Sequence, residues 1–599
     1  MTLYQVTQST DNGNGDTVGT LSYAIRQANV NAGTDAIELK TNVRITSVMK
    51  TLLNSDIVVI GNGKSVSGDA NNDGITDNQD LRPFFIKSGN VKFSDLTITN
   101  STAKGGDSRG GGGGAGMGGG MFIYGGNVSL SNVTFSNNRT VGGNGTDGSY
   151  GGGGGMFGNS TGGSYSGGGG LFGSNTSRNG GYGGNGNYGG FGGGGGNNSG
   201  GGQGGFGGGG GGGDDNGDGA VFFGGGGGFG GGGGNGGDDN GGSSSGSGGN
   251  GGFGGGGGFG NSSNGGYGGG GTNSSGSRGG EGGFGGGTGD DNSGGGGAGM
   301  GGAIFMRSGK LTLNSVNLNN NAASGGTGSV PDTNNGKGLG GALFIMKSTT
   351  NTNGNIQGMP TTLPTVVSEG TQPTYSGNSA NDDTGAINNN DNVFGTVNTV
   401  TDSKAGNNTI NGTNNSDTLD GGAGNDIING QGSNDILIGG QGNDTINGGT
   451  GVDILYGGLD SDNLNGGAGN DSLIGGAGVD RFIFSSGQQF TQANAQQVGL
   501  DTITDFVRGT DKIVLSKTTF TGIGSGVGDG FSQPGEIRVV ENTTVLNSLL
   551  GSLGSVNIVY NKETGGLNYI SDSLVGSFTR IATIQGRPTL TASDFQITA

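Results

Sequence analysis

Residues 403–483 read SKAGNNTIN GTNNSDTLD GGAGNDIIN GQGSNDILI GGQGNDTIN GGTGVDILY GGLDSDNLN GGAGNDSLI GGAGVDRFI, nine nine-residue blocks without a gap. The shared pattern is GGxGxDxUx, with U a large apolar residue. Position 6 is Asp417, Asp426, Asp435, Asp444, Asp453, Asp462, Asp471 and Asp480, with Asn408 in the first block. Position 8 is Ile410, Leu419, Ile428, Leu437, Ile446, Leu455, Leu464, Leu473 and Phe482. Each block offers a short strand with one inward side chain, followed by a glycine turn of the kind that needs φ > 0. Two blocks then make one turn of a flattened parallel coil, with turns stacked about 4.8 Å apart.

Stacking brings the Asp residues of alternate blocks together along each edge. Two bare carboxylates so close repel by about 1 kcal/mol in water and by several where solvent is excluded. The repeat therefore calls for a hard cation between its turns. Asp oxygens plus backbone carbonyls of the glycine loops (Gly422, Gly424, Gly440, Gly442, Gly449, Gly451, Gly467 and Gly469) are the oxygen set that Ca²⁺ prefers. In these residues the stretch resembles the β-roll of hemolysin-type (RTX) calcium-binding proteins. The alternative is an acidic, glycine-rich linker.

Working outward, composition removes several function classes. The 599-residue chain has a formal net charge of −19, which argues against nucleic acid or an anionic membrane as partner. It has no Cys and no His, which excludes disulfides, zinc–thiolate sites, HExxH metal sites and His-dependent triads. No apolar run is long enough to span a membrane. The start, MTLYQVTQSTDNGNGD, lacks the basic and apolar regions of a classical signal peptide.

Residues 83–106, 120–143 and 303–326 superpose without gaps as 24-residue units. Equivalent positions include Phe85/Phe122/Phe305, Val91/Val128/Leu311, Ile98/Phe135/Leu318 and Asn100/Asn137/Asn320, and a further unit begins at Ala342. Alternating apolar residues broken by Gly and Asn at a fixed period indicate a right-handed parallel β-helix, with the Asn column read as a stacked amide ladder. The units resemble the coils of polymorphic outer-membrane and adhesin-type proteins. Residues 19–37, with a short amphipathic helix expected over 21–29, resemble the CSLREAI start of bacterial surface β-helices, although its Cys is absent. Residues 69–80, DANNDGITDNQD, place Asp69, Asn71, Asp73, Asp77 and Asp80 like the ligands of an EF-hand loop, with Asp for the final Glu. A solvated polar turn is the alternative there.

The glycine tract 144–302 reads as one outgrown loop of a rung, its ends close in space. Composition alone suggests disorder. Aromatics at multiples of three (Tyr182, Tyr188 and Phe191; Phe223 and Phe229; Phe253 and Phe259) instead suit polyglycine II, with three residues per turn and rings on one face. The tract resembles the polyglycine II bundles of snow-flea antifreeze protein. After the roll, Asp501, Asp505, Phe506, Gly509, Asp511, Ile513 and Leu515 match the cap that follows RTX rolls, with Phe482, Phe484, Phe506 and Leu515 sealing the end. The tail resembles the uncleaved region recognised by type I secretion systems.

The expected fold is all-β. An N-terminal cap and first β-helix rungs occupy 1–143, the glycine-rich insertion 144–302, the remaining rungs 303–402, the calcium β-roll 403–483, and the C-terminal cap and secretion region 484–599. The expected role is structural: a secreted, calcium-binding cell-surface protein forming a homo-oligomeric filament or layer, similar to the surface fibril proteins of gliding cyanobacteria. An adhesin that binds surface polysaccharide is the second reading. A carbohydrate-active enzyme is the third, weakened by the missing His and by only scattered Lys and Arg in the coil units.

Overall fold

Alternation in the strand Asn90–Thr99 puts Val91, Phe93, Leu96 and Ile98 on one side, and all four are buried. The next strand, Asn127–Ser136, repeats that pattern and pairs with it in parallel, Val91 beside Val128 and Ile98 beside Phe135. The register continues to Leu311 and Val366 in one column, and to Leu318 and Tyr375 in the other. The computed structural model describes residues 2–146, 152–156, 158–159, 168–170, 209, 226–233, 248–259, 263–272, 280–289, 294–328, 334–369, 371–381, 391–399, 406–490, 498–533, 535–548, 556–570 and 579–599. The chain divides into two units, residues 2–400 and 401–599. Both are dominated by strands.

In the first unit a second parallel sheet runs through Phe84–Ile86, Met121–Ile123, Ile304–Met306, Leu343–Ile345 and Val393–Phe394. A third runs through Thr102–Lys104, Arg139–Val141, Ala322–Ser324 and Ser379–Asn381. Inward side chains from the first two sheets form one continuous apolar core. The helix Leu21–Val30, capped by the Thr20 side chain on the Tyr23 N–H, buries Leu21, Ala24, Ile25 and Ala28 beside the first strand of the long sheet, Leu3–Val6.

The amide ladder lies one residue beyond the expected column. Asn100, Asn137 and Asn320 occupy left-handed corner positions (φ 46°, 55° and 54°). The stack is made by the buried Asn138 and Asn321 and the half-buried Asn378, whose amides donate to Asn321, Asn378 and Asn392 respectively, each over 3.0 Å. The corner itself turns the chain, and only the residue after it points inward.

The two ends of the glycine tract meet. Gly297 N–H donates to Gly143 O over 2.8 Å, and Gly116–Met117 pairs with Gly299–Met300, which pairs with Gly338–Leu339. Three consecutive amides, of Gly112, Gly113 and Gly114, donate to three different segments, at Gly257, Gly295 and Gly106, each over 2.9 Å. A Cβ on any of these three would stand 1.9–2.0 Å from a carbonyl oxygen of a neighbouring segment. No side chain fits, which is why the sequence there is bare glycine.

The aromatic spacing has another explanation than three residues per turn. Phe229, Phe253, Tyr267 and Phe284 each sit in a separate tight turn between glycine runs. Their rings stack in sequence, with centroids 5.1, 5.3 and 5.1 Å apart. The ladder Phe85–Phe122–Phe305–Phe344–Phe394, at 4.8, 5.0, 5.0 and 4.7 Å, faces it edge-on. Phe122 meets Phe229, Phe305 meets Phe253, Phe344 meets Tyr267 and Phe394 meets Phe284, so one glycine pass serves each rung. Phe259 is buried, whereas Tyr182, Tyr188, Phe191 and Phe223 lie outside the described residues.

In the second unit, strands alternate between two sheets that advance together. One carries Thr409–Asn411, Ile427–Gly432, Thr445–Thr450, Asn463–Ala468 and Arg481–Phe484; the other carries Thr418–Ala423, Ile436–Gln441, Ile454–Leu459 and Ser472–Ala477. All these pairs are parallel with an 18-residue offset, as in Ile428 beside Ile446 and Leu437 beside Leu455. The position-8 residues from Ile428 to Phe482 are fully buried between the sheets. An aromatic plug does not end the stack. Asp501–Ile503 and Lys512–Ser516 add parallel strands, then Thr579–Ile584 and Phe595–Thr598 add two more. Antiparallel strands Gly566–Tyr569 and Ile558–Asn561 follow on one sheet.

Candidate metal centre

The 18-residue offset decides what happens at the two edges. Along one, Asp417, Asp435 and Asp453 each donate their N–H to Oδ1 of the next Asp, ending on Asp471, over 2.8 Å every time. Asp471 then donates to Asp501 over 3.1 Å. Along the other, Asn408, Asp426, Asp444, Asp462 and Asp480 lead in the same way to Asp511, over 2.7–3.1 Å. Asp501 and Asp511 of the cap motif thus extend the two ladders by one rung each. Asp505 does not join them; its carboxylate accepts the Gly475 and Gly476 N–H groups.

From Asp426 and Asp435 onward, one oxygen of each ladder carboxylate accepts the N–H of the rung before it. The other, Oδ2 of Asp435, Asp444, Asp453, Asp462 and Asp471, is buried without a hydrogen bond. Burial pushes these carboxyls up from their ordinary value near 3.8, to about 6 for Asp435 and Asp471, about 7 for Asp444 and Asp453, and about 9 for Asp462. Burial and neighbouring carboxylates raise Asp480 to about 7, and lift Asp501 well above the usual range. Among the described residues, no Lys or Arg offsets the charge of these ladder carboxylates. Five desolvated oxygens with no donor form an anion-only array, the arrangement that a cation completes.

The glycines shape the other side. Gly422, Gly424, Gly440, Gly442, Gly449, Gly451, Gly467 and Gly469 all adopt positive φ, between 96° and 145°. Their carbonyls stack from rung to rung, so that a Cβ on Gly440 would lie 2.1 Å from Gly422 O and one on Gly467 2.2 Å from Gly449 O. The first glycine of each block is a site feature that the sequence reading passed over. A Cβ on Gly430, Gly439, Gly448, Gly457 or Gly466 would come within 2.3–2.5 Å of the unpaired Oδ2 of its own block's Asp. Its signal was an unbroken Gly at position 1 from Gly412 onward. Among the described residues no three His, Cys, Asp or Glu side chains converge.

Residues 403–437, 429–464 and 456–488 match the family model of the RTX calcium-binding nonapeptide repeat (4 copies). These residues are hemolysin-type calcium-binding repeats. Calcium is their cofactor, with several ions to the array. The unpaired Oδ2 atoms and the stacked carbonyls of the RTX stretch fit that hard, oxygen-seeking ion. A comparison with curated proteins found no match. Among the described residues no helix is long and apolar enough to cross a membrane.

The loop 69–80 is organised differently. Asp69 accepts the Asp73 and Gly74 N–H groups, Asp73 accepts Ile75 N–H and the Asn71 amide, and Asp77 accepts Gln79 N–H. Asp80 takes the Asp77 N–H on Oδ2, and burial raises its carboxyl to about 6. The five residues fold one turn, but their carboxylates satisfy the loop's own backbone rather than converging on a point.

Outward positions 7 and 9 of the roll separate the two sheets. Ile436, Ile438, Ile454, Tyr456 and Ile474 on one are buried, while the other presents Asn429, Thr445, Asn447 and Asn463. That asymmetry is visible in the sequence only when blocks are read in pairs.

Proposed function

We propose that the protein is a secreted structural component of a cell surface whose RTX roll folds on meeting extracellular calcium. The observation that carries this reading is the pair of Asp ladders, in which Asp435, Asp444, Asp453, Asp462 and Asp471 each hold one carboxylate oxygen that is buried and without a hydrogen bond. Where calcium is scarce the ladders repel themselves and weaken the roll, which favours its export unfolded through a type I system. At the millimolar calcium outside cells, the ligand set is that of extracellular modules, and binding becomes folding free energy. Asp417 to Asp501 and Asp426 to Asp511 hold the ions with the glycine carbonyls.

In the same proposal the first unit is a right-handed parallel β-helix with a polyglycine II bundle alongside it. The parallel registers, the inward apolar columns and amides that donate in three directions support this. Such coils expose unpaired strand edges at their ends, which favours end-to-end self-association into filaments or layers. Electron microscopy in millimolar calcium and after chelation tests the assembly. Ordered filaments or sheets that vanish with the chelator are expected. Dispersed particles in both conditions would leave an adhesin in place of a self-assembling protein.

A further inference from the structure

An amine, a carboxylate and an amide meet on one oxygen near the start of the first unit. The strand Asp35–Leu39 sends Ile37 and Leu39 into the core and leaves Glu38 on the opposite face of its sheet, yet Glu38 is fully buried. Its Oε1 accepts from two nitrogens, Lys40 Nζ over 2.6 Å and Asn62 Nδ2 over 3.3 Å. Gln5 Nε2 donates to Oε2 over 3.1 Å and steadies the carboxylate. Register accounts for the meeting. Glu38 lies beside Ile60 of the next rung, so Lys40 comes level with Asn62, two residues further along each chain. Asn62 itself stands at a left-handed corner, φ 56°.

Burial sets this ion pair apart. The Glu38 side chain is 0 % exposed and that of Lys40 19 %. By contrast, the carboxylate side chains of Lys104–Asp107, Lys310–Glu369 and Lys562–Glu541 are 28–72 % exposed. A proton passing from Nζ to Oε1 removes both charges from a site with little water. It leaves a neutral amine, which is a nucleophile, beside an amide held on the same carboxyl oxygen. The chain has no Cys, so no disulfide can join its rungs.

We propose that Lys40 and Asn62 join in an intramolecular isopeptide bond, with Glu38 as the acid–base catalyst. The Nζ lone pair attacks Cγ of Asn62 and forms the new C–N bond. Glu38 takes a proton from Nζ and gives one to Nδ2. The Cγ–Nδ2 bond breaks, its electron pair stays on the nitrogen, and ammonia leaves. One amide replaces another, so the step needs no oxidant and no cofactor. The bond staples the strand Asp35–Leu39 to the strand Ile57–Ser67, beside the helix Leu21–Val30. The proposal does not depend on the calcium reading.

Mass spectrometry of the denatured full chain is the test. The parent should weigh one ammonia less than its sequence. Trypsin should leave Lys40 uncut and release residues 27–44 joined to residues 51–64. A succinimide at Asn62–Gly63 would lose the same mass without joining the two peptides, so the joined peptide decides. Glu38→Gln keeps the side-chain shape and should slow bond formation roughly a hundredfold, read as the yield of joined peptide against time after synthesis. Lys40→Arg keeps the positive charge but lacks the amine, and should have its full mass; if Glu38→Gln fails to fold, parent and Lys40→Arg decide between them. A parent of full mass, ammonia lost without a joined peptide, a link from Lys40 to Gln5 in place of Asn62, or undiminished joining in Glu38→Gln would overturn the proposal.

Discussion

At Asp453, two demands of opposite sign meet. Its Oδ1 holds the Asp435 N–H, while its Oδ2 is buried without a donor and its carboxyl is raised to about 7. Asp453→Asn keeps an accepting oxygen for the ladder but removes a charge that only a cation tolerates. The variant should therefore unfold at a higher temperature than the parent in chelator and at a lower one in calcium, with apparent calcium affinity down on the order of tenfold. A shift of the same sign in both conditions would remove the Asp ladder from the calcium account. Backbone strain gives a second residue-level prediction. Gln431 stands at φ 76°, where the block before it and every block after it have glycine. Left-handed geometry costs a non-glycine residue about 1–2 kcal/mol, against about 0.5–1 kcal/mol of added chain entropy for Gly. Gln431→Gly should thus stabilise the calcium-loaded roll by about 0.5–1 kcal/mol in a urea titration. Period made this site legible in the sequence: one residue type in one place, every nine residues, fixes both ladders. The role of the first glycine was less visible because Gly430 or Gly448 acts through the space it leaves for Oδ2, and an absent side chain carries no chemistry to read.

For the elements of the first unit, repeat alignment gave the strand registers but not which side of a corner points inward. Asn137 and Asn138 are adjacent, and one residue of offset exchanges a left-handed turn for a buried amide stack. The aromatic pattern went astray for a similar reason. Counting by threes assumes one uninterrupted helix, whereas Phe253 and Tyr267 are lifted out of the glycine runs by tight turns, and only tertiary stacking on the Phe305 and Phe344 columns explains their spacing. The glycine packing makes its own prediction. A Cβ on Gly113 meets Gly143 O at 1.9 Å and Gly297 N at 3.0 Å, both backbone, so two segments must part. On Gly125 the nearest atoms are at 3.3 and 3.5 Å, and its φ is not positive. Gly113→Ala should cost about 1–3 kcal/mol, as overpacking does, and Gly125→Ala within about 0.5 kcal/mol of nothing. Equal urea midpoints for the two variants would mean that the segments around Gly113 do not pack as described.

Across the whole molecule, two units with different chemistry should answer differently to calcium and to pH. The first has an apolar core and a loop 69–80 whose Asp69 and Asp73 are occupied by backbone N–H groups, so its unfolding should be indifferent to chelator. The second carries the ladders. Burial raises their carboxyls in the folded state, to about 6 for Asp435, about 7 for Asp444, Asp453 and Asp480, and about 9 for Asp462, from about 3.8 in the unfolded chain. Between those values the folded roll holds more protons than the unfolded chain. Stability therefore falls as pH rises. In the absence of calcium the protonated ladder contributes fully near pH 4, and the contribution is lost as pH climbs through 6 to 9. Calcium needs the same oxygens deprotonated, so binding releases protons and its affinity rises with pH over the same window. Scanning calorimetry of the full chain from pH 5 to pH 8, with calcium and with chelator, should resolve two transitions. One stays in place with chelator; the other should move down with rising pH in chelator, and the stabilisation that calcium gives it should grow. A chelator-sensitive transition that instead gained stability with pH in the absence of calcium would mean that the ladder carboxylates are solvated in the free roll. The unpaired Oδ2 atoms would then have no part in weakening it before calcium arrives.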